Sequence, residues 1–340
     1  MVAQKFRSAN SFAFAVSLLL TACGGGGGGD SASNQPPVGP PMLPSNTQNS
    51  TAALYAPGDA IAAPLLINNT ATDGFNRFNY RRQQMGLAAV SRNSNIDFAA
   101  QGHSNYQKIN DTITHTQITS NPGFTGVDVP NRLSAAQYYF TSTNGYAFGE
   151  VISASGDLAG QNNAEDLITA IYHRYVIFEP KFREAGAGSA GLSATGYNFF
   201  TVDFAANGLT GGIGNAQIAL YPYANQTGIT TVFPHKQESP DPVPDLQQTY
   251  VGYPVSVHAD GDTRVTVSSF TLQPRGGATL PVRLLSNATD PGDMIEGRTP
   301  ASAASIVPLS PLAAGTTYDV QFIGTVSGAP VARIWSFTTR

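Results

Sequence analysis

The sequence predicts an α+β domain followed by an all-β sandwich, and three observations carry that prediction. Over residues 94–109, Ile96, Ala99, Ala100, His103 and Tyr106 or Gln107 recur at the spacing of one helix face. Residues 197–204 alternate Asn198, Phe200, Val202 and Phe204 against Tyr197, Phe199, Thr201 and Asp203, a strand whose aromatics require cover on both faces. From residue 255 onward, short β-prone runs parted by Gly, Pro, Asp and Asn follow one another at the spacing of a sandwich.

In chain order, Lys5 and Arg7 precede an apolar run at 12–20, and Leu20-Thr-Ala-Cys23 precedes six glycines. This is the charged start, short apolar centre and small-residue cleavage site of a secretory signal over residues 1–22. Its apolar run is too short for a bilayer core about 30 Å thick. The end of the run resembles a bacterial lipobox, which implies acylation of Cys23, export and anchoring to the cell envelope through that lipid. Gly rather than Asp follows Cys23, which by resemblance to sorting rules points to the outer membrane. Cys23 is the single cysteine, so the chain cannot close a disulfide on itself and packing alone must hold its core.

Residues 23–50 are Gly, Ser, Asn, Gln and Pro with hardly a large apolar group, the composition of a disordered tether. Asp73 is placed to cap a helix that carries Phe75, Phe78 and Arg82 and stops at Met85-Gly86. After the 94–109 helix, residues 112–144 have no sustained period and read as long loops with a short turn at Asn131-Arg-Leu-Ser-Ala. Strands are expected at 150–155, 182–188 and 197–204, with one helix over 164–174. Turn and polyproline chemistry over 221–245 marks a linker, set at 233–245, between a first domain at 51–232 (core 70–205) and a sandwich at 246–340.

The formal charge is −4, about −6 without Lys5 and Arg7, and no basic cluster is present. Nucleic acid and anionic membrane surfaces are therefore poor partners. The chain has no H-E-x-x-H, P-loop or G-x-G-x-x-G before a helix, and Ala187-Gly-Ser189-Ala-Gly191 misses the G-x-S-x-G elbow by one residue. Ser104 adjoins His103, but neighbouring helical residues point about 100° apart, so the two do not form a nucleophile and base.

What chemistry remains centres on histidine and glutamate. His103 continues an apolar helix stripe, and Glu150 leads a β-prone run. His173 lies at the edge of the stripe made by Leu167, Ile168, Ile171 and Tyr175, from where it can look into a cleft. Two neutral imidazoles and a carboxylate suit a divalent cation, zinc foremost, with His103 and His173 as ligands. The same groups can instead hydrogen-bond among themselves and tie two helices to a strand without an ion. His115 reads as a loop anchor or a cavity residue. Arg132 and Arg174 are expected to pair with carboxylates, Tyr138, Tyr139 and Phe140 to join the core, and His235 and His258 to be exposed.

Six words in order, Ala-Gln-Gly-His103-Ser-Asn-Tyr, Ile-Thr-His115-Thr, Gly-Phe-Thr-Gly126, Gly-Glu150-Val-Ile, Ala-Ile-Tyr-His173-Arg174 and Ala-Gly-Ala-Gly188, resemble the CAP superfamily of cysteine-rich secretory, antigen 5 and pathogenesis-related proteins. The resemblance implies a CAP-type α-β-α sandwich with a small antiparallel sheet. It also implies a central cavity of two histidines and two acidic residues, to which His103, Glu150 and His173 supply three. Asp166, or else Glu165, is the expected fourth. The ending, from Leu312-Ala-Ala-Gly-Thr-Thr-Tyr318 to Trp335-Ser-Phe-Thr-Thr, resembles an Ig-like or fibronectin-like module. The expected function is binding of a small apolar or envelope ligand (lipid, glycan or peptide) in a metal-capable His/Glu cleft. The alternatives are a metal-dependent hydrolase with Glu150 as the base, or an adhesion or spacer protein with an architectural His-Glu-His cluster.

Overall fold

The computed structural model describes residues 3–7 by their backbone, and residues 52–290 and 298–340. The expected cleavage site, Cys23 and the tether lie outside the described residues.

Helix α1 (Thr70–Gln84) begins at Asn69, whose side chain accepts the Thr72 N–H at 2.9 Å. Asp73, the cap expected from the sequence, instead accepts the N–H groups of Ile67 and Asn69 at 3.0 and 3.2 Å. The helix ends at Met85, and Gly86 takes the left-handed φ of 88° that glycine adopts without strain. Helix α2 (Ser94–Asn110) is capped by Asn93, and α3 (Val129–Ala135) forms where a turn was expected, capped by Asp128.

The first sheet holds β1 (Ala3–Arg7), β2 (Ser91–Arg92), β3 (Tyr146–Ser155), β4 (Glu184–Leu192) and β5 (Asn198–Asn207), in the order β1-β3-β5-β4-β2. Both faces of β5 are covered, as its aromatics required. Phe200 and Phe204 meet Phe78 of α1, with ring centroids at 6.1 and 5.9 Å, while Thr201 accepts hydrogen bonds from Ser104 and Gln107 of α2 at 3.0 and 3.2 Å. The result is three layers, α-β-α. The Ala-Gly-Ala-Gly188 word has a steric reason: a Cβ at Gly186 or Gly188 would stand 2.1 Å from Asp97 N or 2.3 Å from Gln101 Cα. Bare glycines let α2 lie against β4.

The expected helix at 164–174 is two helices, α4 (Gly160–Thr169) and α5 (Ile171–Ile177), parted at Ala170 with φ −69° and ψ 117°.

The C-terminal region forms two four-stranded sheets from β6 (Ala219–Tyr221), β7 (Gln226–Ile229), β8 (Val255–His258), β9 (Val265–Pro274), β10 (Val282–Ser286), β11 (Ala303–Pro308), β12 (Thr317–Val326) and β13 (Ala329–Thr339). Their orders are β10-β11-β8-β6 and β7-β13-β12-β9. The runs at 255–258, 264–267, 281–285, 318–323 and 334–339, β-prone in the sequence, fall on β8, β9, β10, β12 and β13. The boundary differs: β6 and β7 precede the expected linker yet pair with β8 and β13, so the β-rich region already begins by residue 219.

The two regions share one apolar cluster, which runs from Phe75 through Ile171 and Phe178 to Val255 and Phe337. Arg174 of α5 crosses the junction. It donates to Ile168 O and Pro254 O at 2.5 and 2.7 Å and lies over the Tyr221 and Tyr253 rings, so its partners are carbonyls and ring faces rather than the expected carboxylate. His235 and His258, expected to be exposed, are buried; His235 Nδ1 lies 2.7 Å from Asp241, and His258 Nε2 2.9 Å from Ser256 Oγ. Among the described residues no helix is long and apolar enough to cross a membrane.

Candidate functional site

Glu150 sits in the middle of β3, fully buried, and its partners come from the loop after α2 and from α3. His115 Nδ1 lies 2.6 Å from Oε1, and the Arg132 guanidinium donates to Oε2 at 2.6 Å and to His115 O at 2.9 Å. Burial by itself would raise the Glu150 pKa; the Arg132 charge, with His103 and His115, outweighs it and holds the carboxyl well below the usual range. The anion accepts only, so His115 carries its proton on Nδ1. Burial in turn lowers the His115 pKa against the pull of Glu150, and the imidazole is neutral at pH 7.

His103 does not reach the cleft. Its Nε2 donates to Thr114 O at 2.7 Å and its Nδ1 accepts from Gln117 Nε2 at 2.9 Å, which occupies both ring nitrogens, and Glu150 is 4.0 Å away. Burial lowers its pKa to about 4. The apolar stripe that places His103 on α2 also turns it into the layer between helix and sheet, where it braces the 112–128 loop. In this arrangement it has no lone pair left for a cation.

His173 lies on the other wall, at the start of α5. Its Nδ1 is 3.0 Å from Glu238 Oε1, and the same carboxylate accepts the backbone N–H groups of Ile171, Tyr172 and His173 at 2.8, 2.7 and 3.2 Å. Glu238 thus satisfies the donors that the break at Ala170 exposes. It belongs to the Pro-rich linker, where no periodicity could have marked it.

His115 and His173 face one cleft made of two adjoining hollows of about 540 and 340 Å³, which share Ile152, Ala154, His173 and Gln237. The larger adds Asp166, Leu167, Tyr197 and Phe233, and the smaller adds Ile113 and His115. Of the expected cavity residues, His115, His173 and Asp166 therefore line the cleft, Glu150 stands directly behind His115, and His103 is excluded. Burial, then the charges of Asp157 and Glu165, raise the Asp166 pKa. Glu165, the other choice, turns away to Arg77 and Arg81.

A further acidic residue, Asp203, is the register partner of Glu150 across β3 and β5. It is fully buried, no donor among the described residues reaches either oxygen, and burial, the Glu150 charge and a hydrogen bond shared with the Glu150 side chain push its pKa well above the carboxylate range. A charged residue within an otherwise buried strand was the sequence signal for it.

A model of the cysteine-rich secretory protein family (CAP) matches residues 75–204. The chain carries a CAP domain. Among solved structures, the chain is similar to an extracellular protein with an SCP domain from Bacillus anthracis str. Ames, at 20% identity and TM-score 0.33, over 43% of this chain and 45% of that one. It is also similar to an outer surface protein from Borrelia burgdorferi, at 14% identity and TM-score 0.31, over 39% of this chain and 88% of that one. The match thus spans under half of the Bacillus protein. No curated protein matches the chain.

Each cleft histidine of the CAP domain gives its Nδ1–H to a carboxylate, the support that metal-ligating histidines commonly have. Two imidazoles alone do not make a zinc site, and among the described residues no group of three His, Cys, Asp or Glu is placed to hold an ion. The donor set therefore fits a divalent metal poorly.

Proposed function

We propose that this is an exported, envelope-anchored CAP-domain protein that binds a small apolar or cell-envelope ligand in the His115/His173 cleft, without covalent chemistry. One observation carries the proposal: a cleft walled by Ile152, Leu167 and Phe233 presents two imidazoles whose tautomers are set from behind by Glu150 and Glu238. Apolar walls with a few oriented polar groups are what a specific binding pocket needs. Export and anchoring rest on the leader-like residues 1–22 and on Cys23. The metal-dependent hydrolytic reading would need an ion with an open position, for which three donors are not assembled among the described residues.

The test is saturable binding of three probes, a fluorescent fatty acid, a labelled N-acetylglucosamine oligomer and labelled peptides, to the wild type and to Thr169→Trp, which would fill the larger hollow. Binding that Thr169→Trp abolishes supports the cleft; no binding by any probe, or binding indifferent to Thr169→Trp, removes it. For the anchor, Cys23→Ala should move the protein to the soluble fraction, and unchanged membrane partition would refute lipidation.

A further inference from the structure

The larger hollow of the cleft does not end at Thr169. Across Asp166, Thr169 and Pro234, which line both, it opens into a further hollow of about 530 Å³ between α1, α4 and the C-terminal region. Cleft and further hollow form one groove.

At its far end Arg77 and Arg81 stand one turn apart on the same face of α1. Both turn their Nε–H to a single atom, Glu165 Oε1 of α4. Both guanidiniums also lie over the Tyr80 ring, 5.1 and 5.4 Å from its centroid, and Arg81 Nη1 donates to Gln84 at 2.8 Å. The pair is held in place by these neighbours, and one carboxylate oxygen serves two cations. Both Nη groups of Arg77 and the Nη2 of Arg81 enter no described hydrogen bond, on side chains that are 23% and 16% exposed in the wall of the hollow. A guanidinium fork is matched by a carboxylate, which takes two parallel N–H···O bonds.

Between that end and His173 the lining suits sugar better than hydrocarbon. Two half-exposed tyrosines, Tyr197 in the larger hollow and Tyr250 in the further one, offer ring faces on which the apolar side of a sugar ring can pack. Asp166 stands at the boundary of the two hollows and Gln237 in the larger, and neither side chain enters a described hydrogen bond. Sugar hydroxyls donate and accept, so they can meet a carboxylate and an amide at once. An acyl chain would strip water from both groups and return no hydrogen bond.

We propose that the ligand of this cleft is an acidic oligosaccharide, lying from His173 into the further hollow, with sugar rings on Tyr197 and Tyr250 and a carboxylate on Arg77 and Arg81. This deepens the cleft reading above and rests on it. The ligand carboxylate would accept from the Nη groups, and ring hydroxyls would donate to Asp166 and accept from Gln237.

The experiment uses the full chain and fluorescein-labelled tetrasaccharides of hyaluronan and of polygalacturonate, each beside its methyl ester, which keeps the sugar and removes the charge. Polarisation should show an acid bound about ten-fold or more tightly than its ester, as for a charge-assisted hydrogen bond. Arg77→Gln leaves Glu165 with Arg81; it should bring the acid down to the level of the ester and leave the ester unchanged. Thr230→Trp, which fills the further hollow alone, should weaken the acid about ten-fold. Equal binding of acid and ester, binding indifferent to Thr230→Trp, or loss of both forms in a folded Arg77→Gln overturns the proposal. If Arg77→Gln does not fold, the wild-type ratio and Thr230→Trp decide. Inorganic phosphate that displaces the tetrasaccharide at equal concentration leaves a bare anion site and overturns the glycan. Fatty-acid or peptide binding that Thr169→Trp abolishes, without a tetrasaccharide signal, overturns the glycan but keeps the cleft; no probe binding at all overturns both.

Discussion

The two histidine–glutamate pairs of the cleft look alike and are built differently. His115 and Glu150 belong to the CAP domain alone, a loop residue against a central strand, with Arg132 compensating the buried charge. His173 and Glu238 join the CAP helix α5 to the segment that leads into the sandwich, and there backbone N–H groups take the place of the arginine. In the first pair the anion is held by a cation, so it depends on one side chain. In the second it is held by a helix start, so it depends on where the second region sits.

The largest separation of the two pairs should come from ending the chain at residue 232. Glu238 is then lost, and apolar residues of α5 that share a cluster with Val255 and Phe337 are uncovered. The fragment should fail to fold, seen as loss of near-UV circular dichroism; a folded fragment with a native His115–Glu150 pair would show that the CAP domain stands alone. Next in size is Glu150→Ala, which leaves the buried Arg132 without its partner and should cost roughly 3–5 kcal/mol in denaturant unfolding. A loss under about 1 kcal/mol would mean that Arg132 finds water or another acceptor.

Glu238→Gln should be milder, on the order of 1–3 kcal/mol, because the amide oxygen still accepts from part of the helix start. It should also shift the His173 ring nitrogens from a single Nδ1–H tautomer to a mixture in nitrogen NMR spectra, leaving His115 unchanged. Equal change at both histidines would contradict their separate construction.

A further effect shows only as a slope with pH. His103 has a folded pKa of about 4, below the unfolded value near 6.5, so the unfolded chain binds the extra proton between those limits. Its contribution is complete above about pH 6.5 and is lost as the pH falls toward 4, roughly 3 kcal/mol in all. His103→Gln should flatten that part of the stability curve relative to the wild type, and an unchanged slope would move the acid sensitivity elsewhere. Zinc titration beside His115→Ala/His173→Ala should give no variant-sensitive rise in melting temperature. A rise that the double variant loses would restore an ion to the cleft.

Much of the fold is legible in the amino-acid order. The stripe on α2, the glycines that admit it against β4, and the aromatic alternation of β5 are local patterns with a single packing solution. The cleft is legible only in part. Helical periodicity puts His103 within an apolar stripe and His173 at the edge of one; the stripe of α2 faces the sheet and buries His103, while the break at Ala170 turns His173 toward the linker. His115 lies in a loop with no period, and only the fold of residues 112–128 carries it to Glu150.

The order of residues alone therefore settles the layers: which segments are helix or strand, which faces are apolar, and that a glutamate stands within a buried strand. The folded arrangement settles the rest: which histidine meets that glutamate, and that Glu238 starts α5. Periodicity records which face of an element is buried, whereas the partner of a polar group depends on loops and on a second region that no local pattern encodes.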